Sequence, residues 1–183
     1  MNIEQLHKLF LQSSGINTDT RTLKKDQLYF ALRGENFNGN KFVDQALEKE
    51  AGYVVIDEPE MKKNDRYILV SDVLETLQQL ASYHRNYLGV PILAITGSNG
   101  KTTTKELINA VLSRKFNTVA TAGNLNNHIG VPLSLLSMNS STEFGIIEMG
   151  ANHPKEIERL CEIAQPDYGY ITNFGKAHLE GFG

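Results

Sequence analysis

The sequence has no tryptophan and only one cysteine, Cys161, so the chain cannot form an internal disulfide. A lone cysteine in a predicted helix is typical of a small buried side chain rather than of a nucleophile. The sequence also lacks an apolar run long enough to span a bilayer, and its N-terminus lacks the basic start and apolar core of a secretory signal. The net charge is −3, and no basic stripe favours nucleic-acid binding. We therefore expect a cytoplasmic protein without a membrane or nucleic-acid partner.

Apolar strands alternate with helical patterns along the 183 residues, which indicates an α/β fold. A break at Gly89-Val90-Pro91 predicts two domains. Residues 1–88 would form a small mixed α/β domain, and residues 89–183 a truncated, P-loop-type, doubly wound parallel sheet. Strands are predicted at residues 16–18, 27–32, 53–56, 67–70, 92–96, 118–120, 144–149 and 168–172. Helices are predicted at residues 3–10, 42–49, 73–88 with Asp72 as N-cap, 101–113, 129–136 and 154–164.

A glycine-rich turn lies between the strand at 92–96 and the helix at 101–113, with the spacing Gly97-x-x-Gly100-Lys101-Thr102. Glycines let the backbone aim N–H groups at an anion, and a helix N-terminus adds partial positive charge. A lysine in the first helical turn opposes the macrodipole unless a phosphate is bound there. The strict Walker A string would have glycine where Ile95 stands, so a turn that only caps a surface helix is the alternative. We predict nucleoside triphosphate binding by these residues: Gly97, Ser98, Asn99, Gly100, Lys101, Thr102 and Thr103.

Polar groups also follow two other strands of this sheet, and the carboxyl ends of parallel strands share one edge. Glu148 interrupts an apolar strand, where a carboxylate is costly unless it is paired or binds a metal. Because triphosphates arrive with Mg²⁺, we predict that Thr102 and Glu148 bind that ion, with a salt bridge or a helix cap as the alternative for Glu148. His178 follows the last strand and is a weaker candidate, for a metal or a phosphate contact.

Further polar loops are candidates for substrate binding. Asn126 and Asn127 either hydrogen-bond a ligand or build their turn. In the first domain, Arg21, Arg33 and Lys41 either contact an anionic substrate or are solvated surface charges. The predicted substrate-binding residues are Thr18, Asp19, Thr20, Arg21, Asn40, Lys41, Asn126 and Asn127.

The phosphate loop at residues 96–104 resembles that of the Mur ligases, the ATP-dependent amide-forming enzymes of peptidoglycan precursor synthesis, and this accounts for the missing first Walker glycine. Residues 123–132, 148–154 and 177–183 are similar to the members that add D-alanyl-D-alanine to UDP-N-acetylmuramoyl-tripeptide. The resemblance covers the whole chain and is more specific after residue 90.

The resemblance implies a three-domain enzyme that binds the UDP end of its substrate in the first domain and ATP in the second. ATP would phosphorylate the tripeptide carboxylate, and the amine of D-alanyl-D-alanine would attack the acyl phosphate. By analogy, Lys101 holds the β- and γ-phosphates, Thr102 and Glu148 bind one Mg²⁺, and His178 helps to bind a second metal ion. Residues 18–21 and 39–42 resemble uridine-nucleotide contacts.

The family's carbamylated lysine and C-terminal domain lie beyond Gly183, so we expect a monomer that binds nucleotide weakly and has no ligase turnover. Another Mur-superfamily ligase is an alternative. Folylpolyglutamate synthase shares the phosphate loop but would lack the small first domain and the string at 148–152. A nucleotide-binding switch would need a guanine-reading Asn-Lys-x-Asp string, which the sequence lacks. A structural interaction domain would leave Lys101 and Glu148 unexplained.

Overall fold

A computed structural model describes residues 1–175, which form two compact units, one up to Tyr83 and one from His84 onward. Each unit contains a four-stranded sheet in which all strands are parallel. This architecture confirms the predicted α/β class. The division lies inside the helix that ends at Leu88, and the assignment of domains to residues 1–88 and 89–183 stays a prediction.

The first unit has a sheet of order β1-β2-β5-β6 and a separate antiparallel hairpin, β3-β4. The hairpin was not expected from the sequence. The first two strands of the sheet, which lie on either side of residues 18–27, pair in parallel. The strands are β1 (Ile16–Asn17), β2 (Leu28–Phe30), β3 (Arg33–Gly34), β4 (Phe37–Asn38), β5 (Tyr53–Ile56) and β6 (Tyr67–Leu69). The helices are α1 (Ile3–Gln12), α2 (Val43–Glu48) and the start of α3 (Val73–Leu88), with 3₁₀ turns at Gly39–Phe42 and Pro59–Met61.

Polar caps set where two of these helices begin. The Asn2 side chain accepts the N–H of Gln5 at 2.9 Å, and the Gln5 side chain accepts the N–H of Asn2 at 3.1 Å, which is a capping box. The predicted N-cap Asp72 accepts the N–H of Glu75 at 2.7 Å and fixes the start of α3. These contacts satisfy N–H groups that have no acceptor within the helix.

The second unit has a sheet of order β10-β7-β9-β8. Its elements are β7 (Ile92–Thr96), α4 (Lys101–Leu112), β8 (Thr118–Ala120), α5 (Gly130–Leu136), β9 (Phe144–Glu148), α6 (Glu156–Ala164) and β10 (Tyr168–Ile171). Because crossovers between parallel strands are right-handed, the reversal of strand order at β7 places α4 on the face opposite α5 and α6. The bounds of these strands and helices agree with the predicted ones within a few residues.

Burial in the second unit follows the same layering. Four consecutive residues of β9, Gly145–Glu148, are buried, as expected for a strand covered on both faces. Cys161 is half-buried, its sulfur lies 3.8 Å from that of Met149, and burial raises the pKa of its thiol, which fits a packing role. Residues 1–175 contain no helix with both the length and the apolar character that a bilayer crossing requires.

Candidate functional site

The predicted phosphate loop joins β7 to α4 and needs glycine at two positions. Gly97 has a φ of 131° and Gly100 a φ of 76°, a region that side-chain-bearing residues rarely adopt. A Cβ at Gly97 would also lie 2.1 Å from Oγ1 of Thr172, whereas one at Gly100 would meet no atom within 4 Å. The loop therefore has space for backbone alone at its first glycine.

The N-terminus of α4 presents N–H groups beside this loop. The N–H of Thr104 donates to the carbonyl of Gly100 at 2.9 Å, so the N–H groups of residues 101–103 precede the helix's own hydrogen bonds. Lys101 is partly buried, and its Nζ donates to the Gly97 carbonyl at 2.7 Å. The ammonium group thus already lies over the loop where an anion would be held.

The segment after β10 holds the other side of the loop. The Asn173 side chain accepts the N–H of Asn99 at 3.1 Å and donates to the Asn99 carbonyl at 3.1 Å. Thr172 Oγ1 donates to the same carbonyl at 2.6 Å, and Ser98 Oγ exchanges two 2.9 Å hydrogen bonds with Gly175. The ends of β7 and β10 therefore form one hydrogen-bonded edge, as predicted from the parallel sheet.

Glu148 lies at this edge on the neighbouring strand. It pairs in register with Ile95, two residues before Gly97, and is only 2% exposed. Its Oε1 accepts from Nδ2 of Asn126 at 2.9 Å, and its N–H donates to Oγ1 of Thr121 at 2.9 Å. Its Oε2 is buried and has no hydrogen-bond partner among residues 1–175. A buried carboxylate oxygen without a partner is costly, so the site fits a cation. Among residues 1–175, neither a salt bridge nor a helix cap accounts for this oxygen.

A second lysine at this edge was missed from the sequence. Lys105 is 1% exposed, and its Nζ donates to the Thr121 carbonyl at 2.6 Å. It follows Lys101 by four residues and lies on the same side of α4. The one sequence signal for Lys105 was this i, i+4 spacing, which usually marks two solvated charges.

The other residues predicted at this edge have different placements. The Asn127 side chain accepts the N–H groups of Ile129 and Gly130, which supports its turn-building alternative. Thr102 and Thr103 are exposed, and His178 lies outside the described residues. Within residues 1–175, no three histidine, cysteine, aspartate or glutamate side chains converge. Among residues 1–175, further ligands for a cation beside Glu148 would be hydroxyl groups, water or a bound phosphate.

Four of the six predicted substrate residues of the first unit, Thr18, Asp19, Thr20 and Arg21, line a cavity of about 670 Å³. Its lining is formed by Thr18, Asp19, Thr20, Arg21, Tyr29, Phe37, Phe42 and Gln45. The guanidinium of Arg21 donates to both carboxylate oxygens of Asp19 at 2.7–3.0 Å. This side-chain contact, with the Arg21 N–H second, lowers the pKa of Asp19 to about 2. The charged groups of the cavity, Arg21 and Asp19, thus already form an ion pair with each other.

Two other predicted residues of the first unit are placed differently. Asn40 is fully buried, and its amide donates to Asp57 at 2.8 Å and to Asn38 at 3.1 Å, so it ties the hairpin to β5. Lys41 is exposed and, like Asn40, does not belong to the lining formed by the described residues. Their role in substrate binding stays a prediction.

An exposed aromatic pair at the rim of this cavity was not expected from the sequence. Phe37 and Phe42 stack with ring centroids 5.5 Å apart and an interplanar angle of 11°. The hairpin brings them together, and its strands of two residues each are too short for a periodic signal.

Two family models match the chain. Residues 12–85 match the Mur ligase family, catalytic domain, and residues 95–183 match the Mur ligase middle domain. The chain is similar to the UDP-N-acetylmuramoyl-tripeptide–D-alanyl-D-alanine ligase of Bacillus subtilis (strain 168), at 45% identity over 92% of this chain and 37% of the relative. The same-named ligase of Escherichia coli (strain K12) is 40% identical over 92% of this chain and 37% of the relative.

Solved structures give the same picture. A MurF structure from Acinetobacter baumannii matches with a TM-score of 0.85 and 34% identity, over 100% of this chain and 42% of that one. MurF ligase from Thermotoga maritima in complex with ADP matches with a TM-score of 0.76 and 32% identity, over 86% of this chain and 36% of that one. The chain thus spans less than half the length of the proteins it matches.

Proposed function

Since the chain belongs to the Mur ligase family, we propose that it forms the UDP-substrate-binding and ATP-binding part of a ligase that adds D-alanyl-D-alanine to UDP-N-acetylmuramoyl-tripeptide. The observation that carries the proposal is the buried Oε2 of Glu148, which has no hydrogen-bond partner among residues 1–175 and lies on the strand beside the phosphate loop. A ligase of this kind serves peptidoglycan precursor synthesis, and through it cell shape and division.

In the proposed reaction, a carboxylate oxygen of the tripeptide attacks the γ-phosphorus of ATP, ADP leaves, and an acyl phosphate forms. The amine of D-alanyl-D-alanine then attacks the acyl carbon, a proton is lost, and phosphate leaves as the amide forms. Phosphoryl transfer spreads negative charge over the transferred oxygens, so catalysis depends on positioned cations and N–H donors. The second unit supplies such groups at one edge of its sheet.

Nucleotide binding is assigned to the loop from Gly97 and the first turn of α4. Lys101 would exchange the Gly97 carbonyl, 2.7 Å from its Nζ, for phosphate oxygens. The N–H groups of residues 101–103 would donate to the same phosphates. The exposure of Thr102 leaves its hydroxyl accessible to an ion that bridges the nucleotide.

Glu148 and Thr102 would hold Mg²⁺, and His178 is proposed as a contact for a second ion. When bound, Mg²⁺ neutralises charge on the β- and γ-phosphates. Glu148 contributes by fixing its carboxylate: Asn126 holds Oε1, and the β9 backbone is held by Thr121, so Oε2 is kept in one position.

The UDP end of the substrate is assigned to the cavity of the first unit. Arg21 can offer its guanidinium to a diphosphate, as its side chain is 87% exposed although it is paired with Asp19. The stacked Phe37 and Phe42 offer a flat apolar face to a base. Residues 1–88 would thus serve the UDP substrate and residues 89–183 the ATP, in a cytoplasmic monomer where both nucleotides are available.

Calorimetric titration of the chain tests these assignments. Magnesium ADP and UDP-N-acetylmuramoyl-tripeptide should each bind, Lys101→Met should weaken binding of the first only, and Arg21→Met binding of the second only. Preferential binding of guanine nucleotides, or binding of neither ligand, would overturn the proposal. In a protein that extends this chain to the length of its relatives, phosphate release should require ATP, the tripeptide and D-alanyl-D-alanine together.

A further inference from the structure

We propose that Lys105 is a positioning residue that, through Thr121, holds Glu148 in place for the divalent cation. The proposal rests on the function proposed above, because it assumes that Glu148 binds a metal ion with the nucleotide. Lys105 has no place in that function so far, although it is a charged side chain with only 1% of its surface exposed.

Three hydrogen bonds connect the two residues. Lys105 Nζ donates to the carbonyl of Thr121 at 2.6 Å. The N–H of Thr121 donates to Ile146 on β9 at 2.9 Å. The hydroxyl of Thr121 then accepts the N–H of Glu148 at 2.9 Å. Thr121 is thus held at its carbonyl by one lysine and holds the carboxylate-bearing end of β9 through its side chain.

The order of strands explains why α4 carries two lysines on one side. β9 lies between β7 and β8 in the sheet, and α4 connects these two strands that flank it. Lys101 bonds to the loop after β7, and Lys105 bonds to the residue after β8. The end of β9, with Glu148, lies between these two anchoring points.

A purely structural ion pair is a weaker account of Lys105. Its charged partner is Glu106, 3.0 Å away, whose side chain is 62% exposed. An ion pair with so exposed a carboxylate contributes little. The buried end of Lys105 instead bonds to the one residue that holds the Glu148 N–H, which is an arrangement typical of groups that orient metal ligands.

Lys105→Met tests the proposal, because methionine fills a similar volume without the charge. The readout is the affinity for ADP measured by calorimetry with Mn²⁺ and again with EDTA, together with thermal unfolding. We expect the Mn²⁺-dependent gain in affinity to fall about tenfold, which is the usual loss for such a contact, while ADP binding in EDTA stays unchanged. The control is Lys115→Met, since the exposed Lys115 has its Nζ over the ring of its neighbour Phe116.

A second pair of variants keeps the test decisive if Lys105→Met fails to fold. Thr121→Val removes the oxygen that accepts the Glu148 N–H and should reproduce the loss, whereas Thr121→Ser keeps that oxygen and should bind Mn²⁺ like the parent. Equal losses with Mn²⁺ and with EDTA, or no difference between the valine and serine variants, would overturn the positioning role and leave the proposed function standing. A parent chain whose ADP binding ignores Mn²⁺ would overturn both.

Discussion

The two parallel sheets differ in how their strand order follows the chain. In the first unit the order β1-β2-β5-β6 rises along the sequence, whereas in the second the order β10-β7-β9-β8 reverses at β7. Such a reversal opens a crevice at the carboxyl ends of the strands. The phosphate loop follows β7, and therefore lies at the reversal. The cavity of the first unit does not arise from such a reversal. Its lining comes from residues 18–21, Tyr29 of β2, the hairpin and the start of α2.

The two regions also treat their charges differently. In the first cavity the charged groups pair with each other, as Arg21 does with Asp19. At the edge of the second sheet one carboxylate oxygen of Glu148 has no partner within residues 1–175. A self-paired site must break a contact to bind an anion, whereas an unpaired one is relieved by a cation. Ligand binding should therefore cost the second region less than the first, because it breaks no existing ion pair there.

The largest expected effect is that of Lys101→Met on nucleotide binding. It removes a charge-assisted contact to phosphate and should weaken magnesium ADP binding about 100-fold, measured by calorimetry. Lys115→Met, which changes an exposed lysine of the same unit, should bind as the parent does. If Lys101→Met and Lys115→Met bind magnesium ADP with equal affinity, the edge of the second sheet is not a specific phosphate site. The two units would then not differ in their readiness to bind a ligand.

Gly97→Ala should have the largest effect on stability. Its Cβ would meet Thr172 Oγ1 at 2.1 Å and its φ of 131° disfavours a side chain, so we expect a loss of about 3 kcal/mol in unfolding free energy. Gly100→Ala has open space at a φ of 76° and should cost only about 1 kcal/mol for its left-handed backbone. Urea unfolding measures both. Equal losses would mean that close packing at Gly97 contributes nothing.

Glu148→Gln should separate stability from function. Neutralising a buried carboxylate with one oxygen that has no hydrogen-bond partner among residues 1–175 should stabilise the metal-free protein by about 1 kcal/mol, measured by urea unfolding. The same change should abolish the effect of Mg²⁺ on ADP affinity. The matched control is Glu143→Gln, because Glu143 is exposed and already accepts the N–H of Asn117 at 2.7 Å. Destabilisation by Glu148→Gln would show that the carboxylate is satisfied without a metal ion.

Sequence patterns were sufficient for the elements of the second unit and for the meeting of Glu148 with the phosphate loop. Both follow from local rules, since apolar runs mark buried strands and parallel strands end at one edge. The same rules could not identify Lys105, because a lysine in a helical pattern is normally a solvated charge. Its burial depends on Thr121, a residue on another strand that helical periodicity does not report.

The first unit was harder to predict for a related reason. Asn40 looks like an exposed loop residue, yet contacts with Asn38 and Asp57 bury it. Phe37 and Phe42 meet only because a two-residue hairpin turns the chain. Turn and loop geometry depends on such tertiary hydrogen bonds, whereas the strand and helix signals are carried by hydrophobic spacing.

The smallest expected effect is on the self-paired charges of the first unit. Asp19→Asn should lower Tm at neutral pH by only about 2 °C, because exposed ion pairs contribute little. The folded pKa of Asp19 is about 2, below its unfolded value of about 3.9, so the pair stabilises the fold above pH 4 and loses this contribution as the pH falls toward 2. Urea unfolding should therefore show a difference in unfolding free energy between parent and variant that is constant from pH 8 to about 5 and shrinks below about 4.

The control for this prediction is the same Asp19→Asn change in an Arg21→Met background. There the difference in unfolding free energy should be much smaller at every pH, because Arg21 is the main cause of the lowered pKa of Asp19. A difference that persists unchanged to pH 2 would mean that Asp19 is not held charged by Arg21, and the first cavity would then have an anion site already free for a ligand.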